Sequence, residues 1–400
     1  MDLWQALSLQ AGYNAALVTI GASLLGACSG AVGSFLYLRK RVLVSDAVAH
    51  ATLPGIGAAF LIMAASGGDG RTLIGLLLGA AVSATLGLLA VEAMARLTRL
   101  GEDVAIGAVL SVFFGVGVVL MTVIQSAGLG TPAGLEGFLL GATASMLWSE
   151  AMLITLAAAF AGISILVLSR SVVLVAFDGE YAGVRGVPVH LIDLAIMGLA
   201  MIVTVIGLKV VGLVLIVALL IIPAATARFW TDRADHLIAI AALLGAAAGW
   251  IGSALSATSP NLPTGPIIVL VAGLLFALAF LFAPRRGVVA SMITQRQFQT
   301  RVHRRQGLLS LARAEQIFDP TTLRVLRRDG AIRADGVATE TGRAQAARAL
   351  LDEQRFELAR RLYPDDPRQV HFDGLTPINQ VLTPDEVTAL DAAMVKPRGL

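Results

Sequence analysis

Residues 45–55 read SDAVAHATLPG, and the apolar stretch that contains most of them continues to residue 65. This stretch decides the fold class, because a helix of about 20 apolar residues crosses the hydrocarbon core of a bilayer. Asp46 and His50 stand four residues apart at its start, so a helix places both on one face, one turn apart. The segment therefore predicts a membrane span over 47–65 with two ionisable side chains at one end.

Similar apolar stretches follow one another along the first two-thirds of the chain. One of them is interrupted by Trp148, Ser149 and Glu150, and it predicts either one broken helix or a re-entrant piece followed by a span. Counted once, it gives nine spans, with eight or ten as alternatives, so the fold class is an all-α polytopic membrane protein with about eight or nine transmembrane helices. The stretches besides 47–65 are 13–38, 72–95, 104–125, 135–169, 191–208, 210–229, 236–257 and 265–283.

Composition divides the chain into a membrane part and a water-soluble part. Apolar residues make up 56% and charged residues 14%, which excludes an ordinary cytosolic enzyme. Of the 57 charged residues (30 Lys and Arg, 27 Asp and Glu), 24 fall within 1–284 and 33 within the last 116. We therefore predict a transmembrane domain over 1–286, a cytosolic domain over 287–363 and a partly flexible end over 364–400. The single cysteine, Cys28, excludes an intrachain disulfide.

Basic residues between the spans predict the orientation. Cytoplasmic loops are enriched in Lys and Arg. Most of these residues fall in cytoplasmic loops only if the N-terminus lies outside the cell membrane. The exterior then receives Arg71 and Lys209, and the tail is cytoplasmic. The cytoplasmic loops then hold Arg39, Lys40, Arg41, Arg96, Arg99, Arg170, Arg185, Arg228 and Arg233.

The pair Asp46 and His50 has two interpretations. A carboxylate with an imidazole suits Mn²⁺, Fe²⁺ or Zn²⁺, and an ionisable residue within a span is a functional candidate. Alternatively, Asp46 caps the start of the helix and His50 only packs or forms a hydrogen bond. The spacing alone leaves both interpretations open.

Two further segments are unusual for membrane spans and the turns between them. Pro223 lies within the apolar stretch 210–229, where it predicts either a bent pore-lining helix or a packing kink. The polar segment 177–188, FDGEYAGVRGVP, predicts either a short surface helix that docks a partner or an ordinary loop.

Several enzyme motifs are absent from the sequence. None of the three lysines, Lys40, Lys209 and Lys396, follows a glycine, so the chain has no phosphate loop for ATP. It also has no H-E-x-x-H or G-x-S-x-G motif, which leaves a membrane peptidase or serine hydrolase without support.

From about Tyr13 to Arg286, the chain resembles the permease subunits of the ABC importers for manganese, zinc or iron(II). The most specific matches are 45–55 and 211–227, the latter reading VGLVLIVALLIIPAATA. The resemblance implies that Asp46 and His50 coordinate the transported metal, with no permanently bound cofactor and no chemistry by the permease itself. It also implies an inner-membrane location in a bacterium.

The resemblance further implies an assembly of several subunits. These are two permeases, identical or paralogous, a cytosolic ABC ATPase dimer and an extracytoplasmic metal-binding protein, with membrane lipid around the permeases. The stretch 178–187 looks like the coupling helix that seats in the ATPase. Its candidate contact residues are Asp178, Glu180, Tyr181, Ala182, Arg185 and Gly186.

The soluble tail shows a helix, a second helix, a hairpin and a long third helix. We predict the hairpin strands at 331–333 and 336–339 and the long helix at 341–362. This order resembles the winged-helix unit of iron- and manganese-dependent repressors, so we expect a small α+β domain. Nineteen basic against fourteen acidic residues after residue 284 are too weak a bias to indicate DNA as a partner.

Two other function classes remain as alternatives. One is a secondary metal transporter that works alone, and it would need intramembrane carboxylates for energy coupling. The other is a membrane-tethered, metal-responsive regulator with the tail as its effector.

Overall fold

The computed structural model describes residues 3–67, 72–126, 146–259, 262–372 and 374–395. Every regular element within these ranges is a helix. Arg71 and the first part of the predicted stretch 135–169 lie outside the described residues.

Apolar helices make up the first part of the chain. Eight helices in the described residues are long and apolar enough to cross a membrane, and a shorter apolar helix accompanies them. The predicted all-α fold with eight or nine membrane helices is confirmed. The helices are α1 Leu3–Leu7, α2 Tyr13–Leu38, α3 Val44–Ala65, α4 Leu73–Leu97, α5 Glu102–Ser126, α6 Trp148–Phe177, α7 Gly179–Val184, α8 Val189–Val211, α9 Leu213–Arg228, α10 Ala234–Ala257 and α11 Thr264–Phe282.

The predicted span 210–229 is a helix of only 16 residues, Leu213–Arg228. Its start is set by Gly212, which separates α8 from α9 with a φ of 82°. Glycine adopts this left-handed region without the steric cost that a side chain brings. The chain therefore reverses at a single residue, and α9 runs back beside α8.

Ion pairs show which helix ends lie together. Arg39, just after α2, bonds Asp193 near the start of α8 and the carbonyl of Val175 near the end of α6. Arg41 faces Glu92 of α4 and Glu102 at the start of α5. The ends of α2, α4 and α6 and the starts of α5 and α8 therefore share one end of the bundle, as alternating membrane crossings require.

Small residues let α2 pack closely against α9 and α10. A Cβ atom added at Gly26 would overlap the carbonyl oxygen of Gly245 on α10, and the reverse also holds. Pro223 of α9 is buried and lies beside Gly30 of α2, so the part of α9 that carries the proline packs against α2. Such close backbone approach is how membrane helices associate where no hydrophobic driving force acts between them.

Residues 289–400 form a second compact unit, separate from 1–288. Its helices are α12 Val288–Ala312, α13 Pro320–Arg328, α14 Glu340–Leu362, α15 Ile378–Val381 and α16 Pro384–Val395, with a 3₁₀ turn at Pro367–His371. One small core gathers Leu308, Leu326 and Ile332, and a second joins Phe356 of α14 to Leu390 of α16. The predicted boundary at residue 363 stays a prediction.

The predicted α+β character of the tail is not confirmed. Among the described residues the expected hairpin is a single isolated antiparallel bridge between Ile332 and Ala338, and no sheet forms. The physical reason is the next residue, Thr339, whose side chain accepts a hydrogen bond from the Gly342 N–H and caps α14. The chain therefore enters a helix before a strand ladder can extend, and a winged-helix domain is not supported.

Candidate metal site and coupling segment

Asp46 lies in the first turn of α3, and the helix cap is a different residue. Leu43 occupies the cap position and makes no side-chain hydrogen bond there. The start of the helix is instead held by the Ser45 hydroxyl, which donates to the Val42 carbonyl at 2.7 Å. The capping interpretation of Asp46 therefore has no hydrogen bond to support it among the described contacts.

Asp46 and His50 face each other on this helix. The His50 Nε2 atom lies 3.5 Å from Asp46 Oδ1. Two ligand atoms that are each about 2.1 Å from a tetrahedral metal ion lie about 3.4 Å apart. The side chains are thus already spaced so that one cation can contact both of them.

The other ring nitrogen of His50 is in an unusual position. Nδ1 is buried and has no hydrogen-bond partner in the described part of the chain. The ring packs edge-on against Phe114 of α5, with a centroid distance of 5.1 Å, which fixes its plane. Buried polar nitrogen atoms are seldom left without a partner, so this atom calls for an explanation.

The pair is accessible, although it lies on a membrane helix. The side chain of Asp46 is 37% exposed and that of His50 is 20% exposed.

A proline interrupts the backbone hydrogen bonds of α3 near this pair. Pro54, four residues after His50, has no N–H to donate to the His50 carbonyl.

Asp46 and His50 are two potential metal ligands in the described part of the chain. Within the described ranges, no cluster of three or more His, Cys, Asp or Glu side chains suits a metal ion. Transition metals in proteins are normally bound by four or more ligand atoms. As a metal site, the pair would be completed by ligand atoms beyond these two side chains.

Within the segment 178–187, residues Gly179–Val184 form the short helix α7. Of the two structures predicted for this segment, a short helix and an ordinary loop, the helix is the one observed. Asp178 caps it by accepting a hydrogen bond from the Tyr181 N–H at 2.9 Å, and Arg185 lies 5.5 Å from the centre of the Tyr181 ring. Gly186, with a φ of 80°, turns the chain towards α8. Ala182 is fully buried and anchors α7 against the bundle.

The outer side of α7 is unpartnered within the described residues. Tyr181 and Val184 are exposed, the latter at 87%, and Phe177 beside them is also exposed. Glu180 lies on the same short element. This combination of exposed apolar and charged side chains suits a protein surface better than the apolar interior of a membrane.

Sequence reasoning assigned the arginines after α2 to orientation alone. The structure shows that Arg39 and Arg41 point into a cluster with Glu92, Glu102 and Asp193. The signal in the sequence was present as carboxylates near the ends of several spans. Their pairing is visible only once the helices are assembled.

The transmembrane part matches a known family. A model described as the ABC 3 transport family matches residues 13–283. The manganese transport system membrane protein MntC of Bacillus subtilis is 40% identical over 310 residues, which cover 77% of this chain and 70% of that protein. The zinc transport system membrane protein TroC of Treponema pallidum is 38% identical over 291 residues, which cover 73% of this chain and 96% of that protein.

Solved structures show the same fold. The structure of PsaBC from Streptococcus pneumoniae in complex with Fab aligns with a TM-score of 0.61 and 28% identity, covering 71% of this chain and 98% of that chain. An inward-facing putative metal-chelate type ABC transporter aligns with a TM-score of 0.54, and at 17% identity it shows a likeness of fold alone.

Proposed function

Because this chain belongs to the ABC 3 transport family, as a permease subunit of an ABC metal importer, we propose that Asp46 and His50 hold the metal during translocation. The observation that carries the proposal is the 3.5 Å spacing of two potential ligand atoms on α3. A carboxylate and an imidazole together suit Mn²⁺, Zn²⁺ or Fe²⁺.

The remaining ligands come from a second permease subunit. Two chains, identical or paralogous, related by a twofold axis would each contribute an Asp46–His50 pair and together supply four side chains to one ion. This arrangement explains why a single chain holds an incomplete site among its described residues. The metal is cargo, so its ligands must bind it and then release it.

Energy for transport comes from a separate cytosolic ATPase dimer. Its binding surface on this chain is α7, with Asp178 as the cap, Tyr181 and Arg185 stacked on its outer side and Ala182 as the buried anchor. ATP binding closes the ATPase dimer and displaces α7, and the bundle alternates between outward and inward access. An extracytoplasmic binding protein delivers the metal from outside.

This assembly fixes an orientation in the bacterial cytoplasmic membrane. The end of the bundle that carries Arg39 and α7 faces the cytoplasm, and the N-terminus lies outside. The basic residues in the loops at that end agree with the positive-inside rule.

A secondary transporter working alone is the weaker alternative. Such a protein needs carboxylates free to take up protons or ions along the path. Here Glu92, Glu102 and Asp193 are engaged by arginine side chains at one end of the bundle. Family membership and this pairing both favour the ATP-driven importer.

Replacing Val184 by aspartate tests the role of α7. We expect the ATPase to no longer co-purify with the permease, and metal uptake to fall at least about tenfold, because a charge enters an apolar contact. Val184 is 87% exposed, so the substitution leaves the fold of the chain intact. The measurement is co-purification from membranes together with uptake of radioactive Mn²⁺ and Zn²⁺.

The matched control is Val370→Asp in the tail, at a valine that is 82% exposed. That variant should retain the ATPase and take up metal within about twofold of the wild type. Normal ATPase binding by the Val184 variant would place the ATPase contact elsewhere. Absence of metal uptake by the wild-type complex would contradict the transport function itself.

A further inference from the structure

Arg39 connects the two helices that flank α7. Its Nε and Nη2 atoms donate to both carboxylate oxygens of Asp193 at 2.7 and 2.8 Å. Its Nη1 atom donates to the Val175 carbonyl at 2.8 Å. Since Val175 lies near the end of α6 and Asp193 near the start of α8, one guanidinium binds the chain on both sides of α7.

Arg41 extends this contact to two other helices. Its Nε lies 3.1 Å from Glu102 of α5, and its Nη2 lies 3.6 Å from Asp193. Its Nη1 lies 4.0 Å from Glu92 of α4, which His190 of α8 also approaches at 3.3 Å. The side chains of both arginines are only 18% exposed, and that of Asp193 is 9% exposed. Ion pairs this far from water are screened less than surface pairs.

The same two arginines belong to the connector that leads into α3. Residues 39–43 join α2 to α3, and the Asp46 N–H donates to the Leu43 carbonyl at 3.2 Å. Lys40, between the arginines, has a φ of 58°, a conformation that non-glycine residues adopt only where the surrounding contacts hold it. Arg39 and Arg41 are therefore joined by a short, constrained connector to the turn of α3 that carries Asp46.

We propose that Arg39 and Arg41 are positioning residues that transmit the movement of α7 to the Asp46–His50 pair. When α7 moves, it shifts Val175 and Asp193, and these two residues displace the arginines that bind them. The connector 39–43 then moves the start of α3. This inference rests on the proposed roles of α7 and of the metal pair. The guanidinium is suited to the task because its planar fork fixes direction as well as charge, which an ammonium group does not.

The test measures metal transported per ATP hydrolysed by the complete complex in proteoliposomes. Arg39→Lys keeps the positive charge but removes the planar guanidinium that bonds both oxygens of Asp193. Asp193→Asn keeps the shape of the side chain but removes its negative charge. In both variants we expect the ATPase to remain bound and ATP hydrolysis to continue. The ratio of metal to ATP should fall at least about tenfold, the range typical for loss of residues that orient metal ligands.

Arg228→Lys is the matched control, because Arg228 pairs with Asp232 at 3.3 Å at the turn between α9 and α10. Its ratio of metal to ATP should stay within about twofold of the wild type. A purely structural role for Arg39 would lower uptake and hydrolysis in parallel and leave the ratio unchanged, which would overturn the proposal. Failure of both variants to assemble with the ATPase would do the same.

The wild-type complex separates this inference from the function on which it rests. If the wild type transports metal and Val184→Asp releases the ATPase, an unchanged ratio in the Arg39 and Asp193 variants counts against the arginines alone. If the wild type transports no metal, the proposed function fails, and this inference fails with it.

Discussion

We expect replacement of Asp46 by alanine to lower uptake of Mn²⁺ or Zn²⁺ about 100-fold, while the variant still assembles with its partners. The reason is that one of the two proposed ligand atoms, which lie 3.5 Å apart, is removed, and imidazole groups without a carboxylate hold a divalent ion weakly. His50→Ala should cause a loss of similar size, because it leaves an isolated carboxylate. The measurement is uptake of radioactive metal by cells that carry the whole transport system.

Two controls match these substitutions in chemistry. Asp103→Ala removes an exposed carboxylate near the start of α5, and His236→Ala removes an exposed imidazole in the first turns of α10. Both should take up metal within about twofold of the wild type. An assembled Asp46→Ala complex with normal uptake would move the metal site away from α3.

Replacing Gly26 by valine should prevent the transmembrane part from folding stably. A side chain at this position meets the backbone of Gly245 on α10, which cannot move aside as a flexible side chain can. We expect a loss of roughly 3 kcal/mol or more in stability, at the upper end of overpacking effects. The measurement is the amount of monodisperse permease extracted from the membrane and its thermal unfolding in detergent.

Gly273→Val on α11 is the control for this substitution. It introduces the same β-branched residue into a membrane helix at a glycine where a Cβ atom would meet nothing within 4 Å. Extraction and unfolding of that variant should match the wild type. If Gly26→Val and Gly273→Val were extracted in equal amounts and unfolded at the same temperature, the contact between α2 and α10 would not limit stability.

The membrane helices could be predicted because their signal is local. An apolar stretch such as 47–65 is nearly its whole helix, α3, and the charges beside it mark where the helix begins. The end of α8 and the shortness of α9 depend on one residue, Gly212. Hydropathy averages over such a residue, so the stretch 210–229 was predicted a few residues too long.

The tail shows where local patterning was misleading. Alternating residues around the turn at Gly336 predicted two strands, yet the helix cap at Thr339 leaves room for only one bridge. Capping and strand pairing compete for the same few backbone groups, and the sequence alone does not rank them.

In the candidate site, too, contacts within one helix could be predicted and contacts between helices could not. Asp46 and His50 could be predicted because both lie on one helix at a spacing that sequence reveals. Arg39 and Asp193 are 154 residues apart, and their pairing depends on how α2 and α8 pack. Charge counting used Arg39 only to predict the orientation and did not identify its partner.

X-ray absorption at the zinc edge of the Zn²⁺-loaded complex tests whether Asp46 and His50 hold the metal. We expect nitrogen and oxygen ligands at about 2.0–2.2 Å, with the outer-shell scattering of imidazole rings. In His50→Ala the amplitude of the imidazole scattering should fall. Imidazole scattering of unchanged amplitude in that variant would show that His50 does not hold the metal.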